Sequence, residues 1–433
     1  MRLMLMLAAS AAVLHGAAAA AEDDFESVPE ESPAASLSPM QAAGHDFHVH
    51  DPVRSDGLMH HYVIESRFGT FTAYGRSALM VRLREVEALA RIAKTSDADV
   101  AFTSVTRGIQ QDAQSLVKIT TNPVGIVTGI PRGIGHLLGG YRAQAQEVSQ
   151  QAEQTLHGEH GPKVDGTHAE HSDVGSRVAS QTEHYAKSYA DHYLGLTDAE
   201  RRWYAKLGVD PYTDNEVLHN AVKRLARIDA AANFGMRFAP IGIPFAGEVN
   251  RALDVIYNED PAMLRKRRHE ELEADGLTPA EVATFENTPL LSPTRQTLLV
   301  DAVKSLAGVT DRAELLRHAA SVTTEEEIEV FIASTGQLVR FHAREPIARI
   351  ITGVRVPSAQ MPDGRVVVFG AFDAVYWTRQ VAGYEQALRE ALGSDTHARE
   401  VWFTGSVSPQ ARAKLEGLGW QVHDHSQTDP PSA

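Results

Sequence analysis

The sequence predicts an α+β protein: a mostly helical central domain with a small N-terminal β-hairpin, followed by a small C-terminal α/β module. Three observations predict it. Apolar residues recur at helical spacing through most of 76–342, alternation around Phe68-Gly69 marks a hairpin at 61–74, and β-branched runs alternate with amphipathic stretches after Pro346. The chain has 433 residues and is 43% apolar. That is length for roughly two or three domains with cores of their own.

The first residues read Met1, Arg2, the apolar run Leu3 to Leu14, then small residues from Gly16 to Ala21 ahead of Glu22 and Asp23. One basic residue, a short apolar segment and a small-residue exit make residues 1–21 a cleavable signal peptide. The run falls short of the roughly 18 apolar residues that an uncleaved anchor needs. The expected location is therefore the periplasm or another extracytoplasmic compartment.

Residues 22–58 follow, and their opening part, 22–44, is rich in Glu, Pro, Ser and Ala. A segment with so few large apolar side chains reads as a disordered linker. The hairpin-plus-helix domain is placed at 59–342, the α/β module at 346–425, and a disordered tail at 426–433.

Within the helical part, Ser77 reads as the cap of a helix to about Lys94, and a second helix from Ala98 ends at Asn122-Pro123. Val124 to Gly140 is glycine-rich and apolar, a polar helix runs to about Thr155, and 156–176 is a loop rich in Gly, His and Asp. Helical spacing returns over 178–195, and Thr197-Asp-Ala-Glu200 is a capping box. Two more helices lead to a second Gly/Ala/Pro-rich apolar stretch at 230–247. Further helices are expected at 248–257, 261–275, after Thr278-Pro-Ala-Glu281, after Ser292-Pro-Thr-Arg295, and twice within 311–342.

In the C-terminal module, Arg349 to Val356 and Arg365 to Phe369 flank the turn signal Pro362-Asp-Gly364, which predicts a hairpin. A helix over 376–392, a strand at 400–404, a helix over 408–418 capped by Ser408-Pro409 and a strand at 420–423 complete an alternation that calls for parallel pairing.

Composition excludes several classes of function. The net charge is −15, and the one dense basic run, Arg265 to Arg268, is followed by Glu270, Glu271 and Glu273. No nucleic-acid partner is expected, because phosphate binding needs clustered cations without such neutralisation. The absence of cysteine removes disulfides, thiolate nucleophiles and Cys-type zinc sites.

Any transition-metal site would therefore rest on imidazole and carboxylate. His48 and His50 share one side of an extended segment, and His60 adjoins His61. His157, His160, His168 and His171 lie in the 156–176 loop among Glu159, Asp165, Glu170 and Asp173, a tract able to take up zinc, copper or nickel. The plainer account is a solvated polar loop, and no His-Glu-x-x-His occurs.

Gly125, Gly129 and Gly133 recur every four residues among Ile and Val, a spacing that lets another backbone approach closely. Pro131, Arg132 and His136 argue against spanning a bilayer, as do Arg237, Pro240 and Pro244 in the second stretch. Peripheral membrane contact and tight buried connections are the two readings left. The phosphate-loop patterns fail here, since no Gly-Lys-Ser/Thr follows. In the C-terminal module Asp373, Thr404 and Ser406 sit where strands hand over to helices, the usual ligand crevice of α/β sheets.

Leu207-Gly-Val-Asp-Pro-Tyr-Thr-Asp-Asn215, with Thr121-Asn-Pro-Val-Gly125 and its glycine repeats, resembles an uncharacterised family of exported bacterial proteins. The resemblance implies export and carries over no activity. Read by itself, Val209 to Asn215 is a turn in which Pro211 ends one helix and Asp214 or Asn215 caps the next.

Taken together, the residues point to a non-enzymatic exported protein that contacts the envelope membrane or an envelope protein, with no cofactor. The alternative is a periplasmic metal-buffering protein using the histidine tracts, and the third is a hydrolase whose site is assembled from residues distant in sequence. Amino-terminal sequencing of the protein recovered from expressing cells is expected to begin at Glu22. Recovery of intact Met1 would remove the export expectation.

Overall fold

The structure is a computed structural model that describes residues 24–95, 196–228, 246–393 and 398–425. The expected signal peptide 1–21, the whole 98–195 stretch with its glycine repeats and histidine loop, the apolar stretch at 230–245 and the tail 426–433 lie outside the described residues. Helices and sheets are both present, so the class is mixed α and β.

Residues 24–58 depart from the linker expectation. They form helix α1 (Pro33–Ser36), helix α2 (Pro39–Ala42), strand β1 (Phe47–Val49) and strand β2 (Arg54–Ser55). Both strands pair antiparallel with one edge of β3 (His60–Ser66), whose other edge carries β4 (Gly69–Tyr74). The segment has few apolar side chains, but Leu37, Val49, Val53, Leu58 and Met59 are all buried. They dock on surface supplied by the hairpin and later elements, which a composition count of the segment alone leaves out.

The β3–β4 hairpin is the one the alternation predicts, with Ser66 paired to Gly69 across the turn. Gly69 holds φ +130°, a conformation that favours glycine. Helix α3 (Gly75–Thr95) then buries Leu79, Leu83, Val86, Leu89 and Ile92 along one face, the predicted spacing. It begins at Gly75 rather than at a Ser77 cap, and its early Arg76 N–H is taken by Asp373 from the far end of the chain.

Helices α4 (Asp198–Leu207), α5 (Glu216–Ile228) and α6 (Ala246–Asn258) follow, then α7 (Pro261–Ala274), α8 (Pro279–Asn287), α9 (Pro293–Ser305), α10 (Glu314–Ala319) and α11 (Glu325–Arg344). The predicted caps are in place. The Thr197 hydroxyl accepts the Glu200 N–H while Glu200 accepts the Thr197 N–H at 2.8 Å. Thr278 and Glu281 repeat the same box, and the Ser292 hydroxyl accepts the Arg295 N–H.

The C-terminal sheet contains β5 (Arg349–Ile350), β6 (Ser358–Gln360), β7 (Val366–Gly370), β9 (Arg399–Phe403) and β11 (Trp420–His423), in the order β11-β9-β7-β6-β5. Helix α12 (Arg379–Leu392) links β7 to β9, α13 (Pro409–Gly417) links β9 to β11, and both strand pairs are parallel, as predicted. A parallel bridge joins the short strands β8 (Ala374–Val375) and β10 (Ser406–Val407).

The hairpin about Pro362-Asp-Gly364 exists, but its first strand is β6 and not 349–356. A turn sets the register of the residues directly flanking it, so Ser358–Gln360 face Val366–Val368, and β5 pairs one strand further out.

One apolar cluster crosses position 346, where a boundary was expected. It joins Phe331, Leu338 and Phe341 of α11 to Val367, Phe369 and Val401 of the sheet. Phe341 meets Phe369 and Trp402 edge-on, each at 5.2 Å, and the Ser334 hydroxyl accepts the Ala371 N–H. Helix α11 therefore forms the layer behind the sheet.

Residues 57–60 run along the start of β8. Leu58 O accepts the Asp373 and Ala374 N–H groups, and Gly57 O accepts that of Tyr376. Asp373 returns the contact through its side chain, accepting the His60 N–H at 3.0 Å and the Arg76 N–H at 3.1 Å. Asp373→Ala would leave both N–H groups buried and unpaired. Urea denaturation is expected to show a loss of about 2–4 kcal/mol, with Asp373→Asn costing less because one acceptor oxygen remains. Equal midpoints for Asp373→Ala and the parent would sink this account.

Candidate functional site

The three residues predicted to line a C-terminal crevice do come together. Thr404 donates its hydroxyl to Phe372 O at 2.9 Å, the Ser406 N–H reaches Asp373 O, and Ser406 sits opposite Ala374 in the β8–β10 bridge. Between them Gly405 lies so close that a Cβ would stand 1.8 Å from Asp373 O, so only glycine fits. The Asp373 carboxylate and the Thr404 hydroxyl, however, are spent on backbone groups. The space that an α/β crevice leaves open is filled by residues 57–60, by the start of α3 and by the N-terminal segment 24–31.

A buried polar cluster results. His60 Nδ1 lies 3.6 Å from Asp373 Oδ2 and 3.2 Å from the Tyr62 hydroxyl, while His60 Nε2 lies 3.7 Å from Glu31 Oε2. Burial pushes the Asp373 carboxyl up, and the His60 and Arg76 groups oppose that shift without cancelling it. Burial likewise raises the Tyr62 hydroxyl, and the Asp373 charge adds to the effect. Alternation along β3 explains why His60 turns inward while His61 faces Asp56 at 3.6 Å.

A second polar network lies beneath the 209–215 loop. Asn215 caps α5, its side-chain oxygen accepting the Leu218 N–H at 3.1 Å, which decides between the two predicted caps. Asp214 instead meets Arg82 of α3, with both carboxylate oxygens 2.6 Å from Nη2. Glu85, 1% exposed, accepts from Asn215 Nδ2 at 2.9 Å, from Arg82 Nη1 at 2.8 Å and from the Thr213 hydroxyl. The Tyr257 hydroxyl holds Val209 O at 2.7 Å, and the Tyr204 hydroxyl meets His219 Nδ1 at 2.8 Å.

Asp210 accepts the Tyr212 N–H and, at 2.8 Å, the hydroxyl of Thr294 at the start of α9. The neighbouring Arg295 carries the network on to Glu325 at 2.6 Å and Glu329 at 2.5 Å on α11. Burial raises the Asp210 carboxyl to about 6, against the pull of its donors and of Arg295. Desolvation also works against charge at Asp214, but the Arg82 guanidinium outweighs it and holds that carboxyl low.

Of the remaining predicted residues, His48 and His50 alone are described. His48 and His50 point outward from β1 as expected, but His48 Nε2 pairs with Glu65 at 3.1 Å and both histidines are exposed. Among the described residues no group of three His, Asp or Glu side chains is placed to hold a metal ion. His157, His160, His168, His171, Gly125, Gly129 and Gly133 lie outside the described residues. Among those described, no helix is long and apolar enough to cross a membrane.

The sequence reading passed over Glu85, Arg82, Arg295 and the role of His60. Only the density of Asp, Asn and Thr in the 209–215 loop hinted at the second network. No family model matches the chain, and no curated protein or solved structure is similar to it.

With its carboxyl raised from 3.8 to about 6, Asp210 binds its proton more tightly in the folded chain than in the unfolded one. Folding therefore takes up protons between those values, and stability falls as pH rises through that window. Asp210→Asn is expected to flatten this slope, gaining at most about 3 kcal/mol on the parent between pH 4 and pH 7 in urea titrations. Parallel stability curves for the two chains would contradict the assignment.

Proposed function

We propose that the chain is an exported, non-enzymatic envelope protein that contacts a membrane surface or another envelope protein through its glycine-rich apolar segments. In this reading, residues 59–342 are a mostly helical domain that begins with a hairpin, and 346–425 are an α/β module. Removal of the signal peptide leaves the chain in the periplasm.

The observation that carries the proposal is where the stems of those segments stand. Ala93, Leu196 and Ala226 lie beside three of the four chain ends that bound 96–195 and 229–245, and all three pack against one apolar cluster. The contacts of Glu85 with Thr213 and Asn215 fix α3 and α5 in register near the 209–215 loop. From those contacts α3 runs on to Thr95 and α5 to Ile228, about 15 and 20 Å at the standard rise.

Tyr204 and His219 join α4 to α5, and Leu196, just before α4, packs on the same cluster as Ala93 and Ala226. A scaffold that gathers these ends on one side gives the apolar insertions a common face, as a peripheral membrane or protein contact requires. The polar networks beneath the opposite loop stiffen that scaffold.

Flotation of the purified mature chain with vesicles of anionic phospholipid tests the proposal. The parent is expected to rise with the vesicles, and Ile126→Ser combined with Ile130→Ser is expected to cut partitioning roughly tenfold, since two apolar side chains are lost. A chain that stays wholly in the soluble fraction, with no envelope protein cross-linked to it in cells, overturns the proposal.

A further inference from the structure

We propose that the C-terminal edge of the α/β sheet is a binding site for a carboxylate carried on an acidic peptide, and that residues 24–31 of the chain itself fill it in this structure. The site lies just beyond the C-terminal ends of the paired strands β8 and β10, at Tyr376, Trp377 and Ser408, the end of a parallel sheet where open α/β folds take their ligands. Its occupant is held as a ligand would be. Glu26 Oε2 accepts the hydroxyl of Ser408, the cap of α13, at 2.6 Å, and the Trp377 N–H also points at that oxygen.

The contacts on either side of Glu26 read an extended peptide. The Glu26 N–H donates to Trp377 O at 2.9 Å, and the Arg379 guanidinium stands over the Phe25 ring at 5.0 Å. Lys414 pairs with Asp24, Gln410 donates to Asp24 O, and the Tyr376 hydroxyl donates to Glu31 at 2.9 Å. Backbone donor and acceptor, an anion seat at a helix start, an aromatic slot and a flanking cation form one recognition surface for an Asp-aromatic-Glu sequence.

The strap is not locked down as a core strand is. Ser27, Pro29 and Glu30 are exposed, and Phe25 and Glu26 are only half-buried. A segment anchored by a few surface contacts opens at low free-energy cost, so a competing acidic peptide can displace it. The test of this site does not depend on membrane association.

The Trp377 amide reports on the seat directly, because its proton points at Glu26. In the full chain carrying Phe25→Ala and Glu26→Ala, hydrogen exchange at that amide is expected to run at least about tenfold faster than in the parent. Adding the blocked octapeptide that matches residues 24–31 restores protection, and its Glu26→Ala version does not.

Sodium acetate, compared with chloride at equal ionic strength, separates the two sources of a carboxylate. Restoration by the peptide alone supports peptide recognition, while restoration by acetate just as well reassigns the seat to small organic acids and overturns the peptide assignment. Failure of both to restore protection overturns the site altogether. Near-ultraviolet circular dichroism checks that the variant is folded. If it is not, Ser408→Ala in the otherwise native chain provides the second test, with unchanged Trp377 exchange counting against the proposal.

Discussion

A buried carboxylate at position 373 sets the terms for much of this molecule. An ionised carboxyl taken out of water is costly unless donors surround it, and Asp373 finds two in the backbone of residues about 300 positions earlier in the chain. Meeting that need fixes the hairpin against the sheet edge and fixes where α3 begins. The loop so closed is very long, yet the entropy of closure grows only with the logarithm of its length, so a few well-placed bonds offset it.

The connections continue from there as a circuit. Helix α3, started at Asp373, carries Arg82 and Glu85 to the 209–215 loop. That loop reaches α9 through Asp210 and Thr294, and Arg295 passes the linkage to Glu325 and Glu329 of α11. Helix α11 lies on the sheet, and its Ser334 hydroxyl accepts the N–H of Ala371, two residues from Asp373. Polar side chains thus tie the ends of the apolar layers to one another. Such networks rigidify only when their members are satisfied, as the three donors on Glu85 illustrate.

This organisation separates two regions by chemistry. At the sheet edge Glu26 is held by Ser408 and Trp377, whereas Ala93, Leu196 and Ala226 pack on an apolar cluster of the helical layer.

Local features were legible in the sequence because they depend on neighbours a few positions away. The hairpin at 61–74, the capping boxes at Thr197 and Thr278, the Ser408 cap and the β7-α12-β9-α13-β11 alternation all follow from periodicity and cap chemistry, and the structure contains each of them. The sequence also brought Asp373, Thr404 and Ser406 to one place, since strand ends in a parallel sheet converge there.

What only the tertiary structure decided was who meets whom. Residues 24–58 were read as a linker because their own apolar content is small; they order because other elements lend them surface. Ser77 looked like a helix cap, yet the donor at Arg76 is satisfied from position 373, which no local window contains. Glu85 is an ordinary helical residue by spacing, and only packing buries it against the 209–215 loop. Short-range chemistry is written in consecutive residues, but the pairing of buried charges is set by the three-dimensional path of the chain.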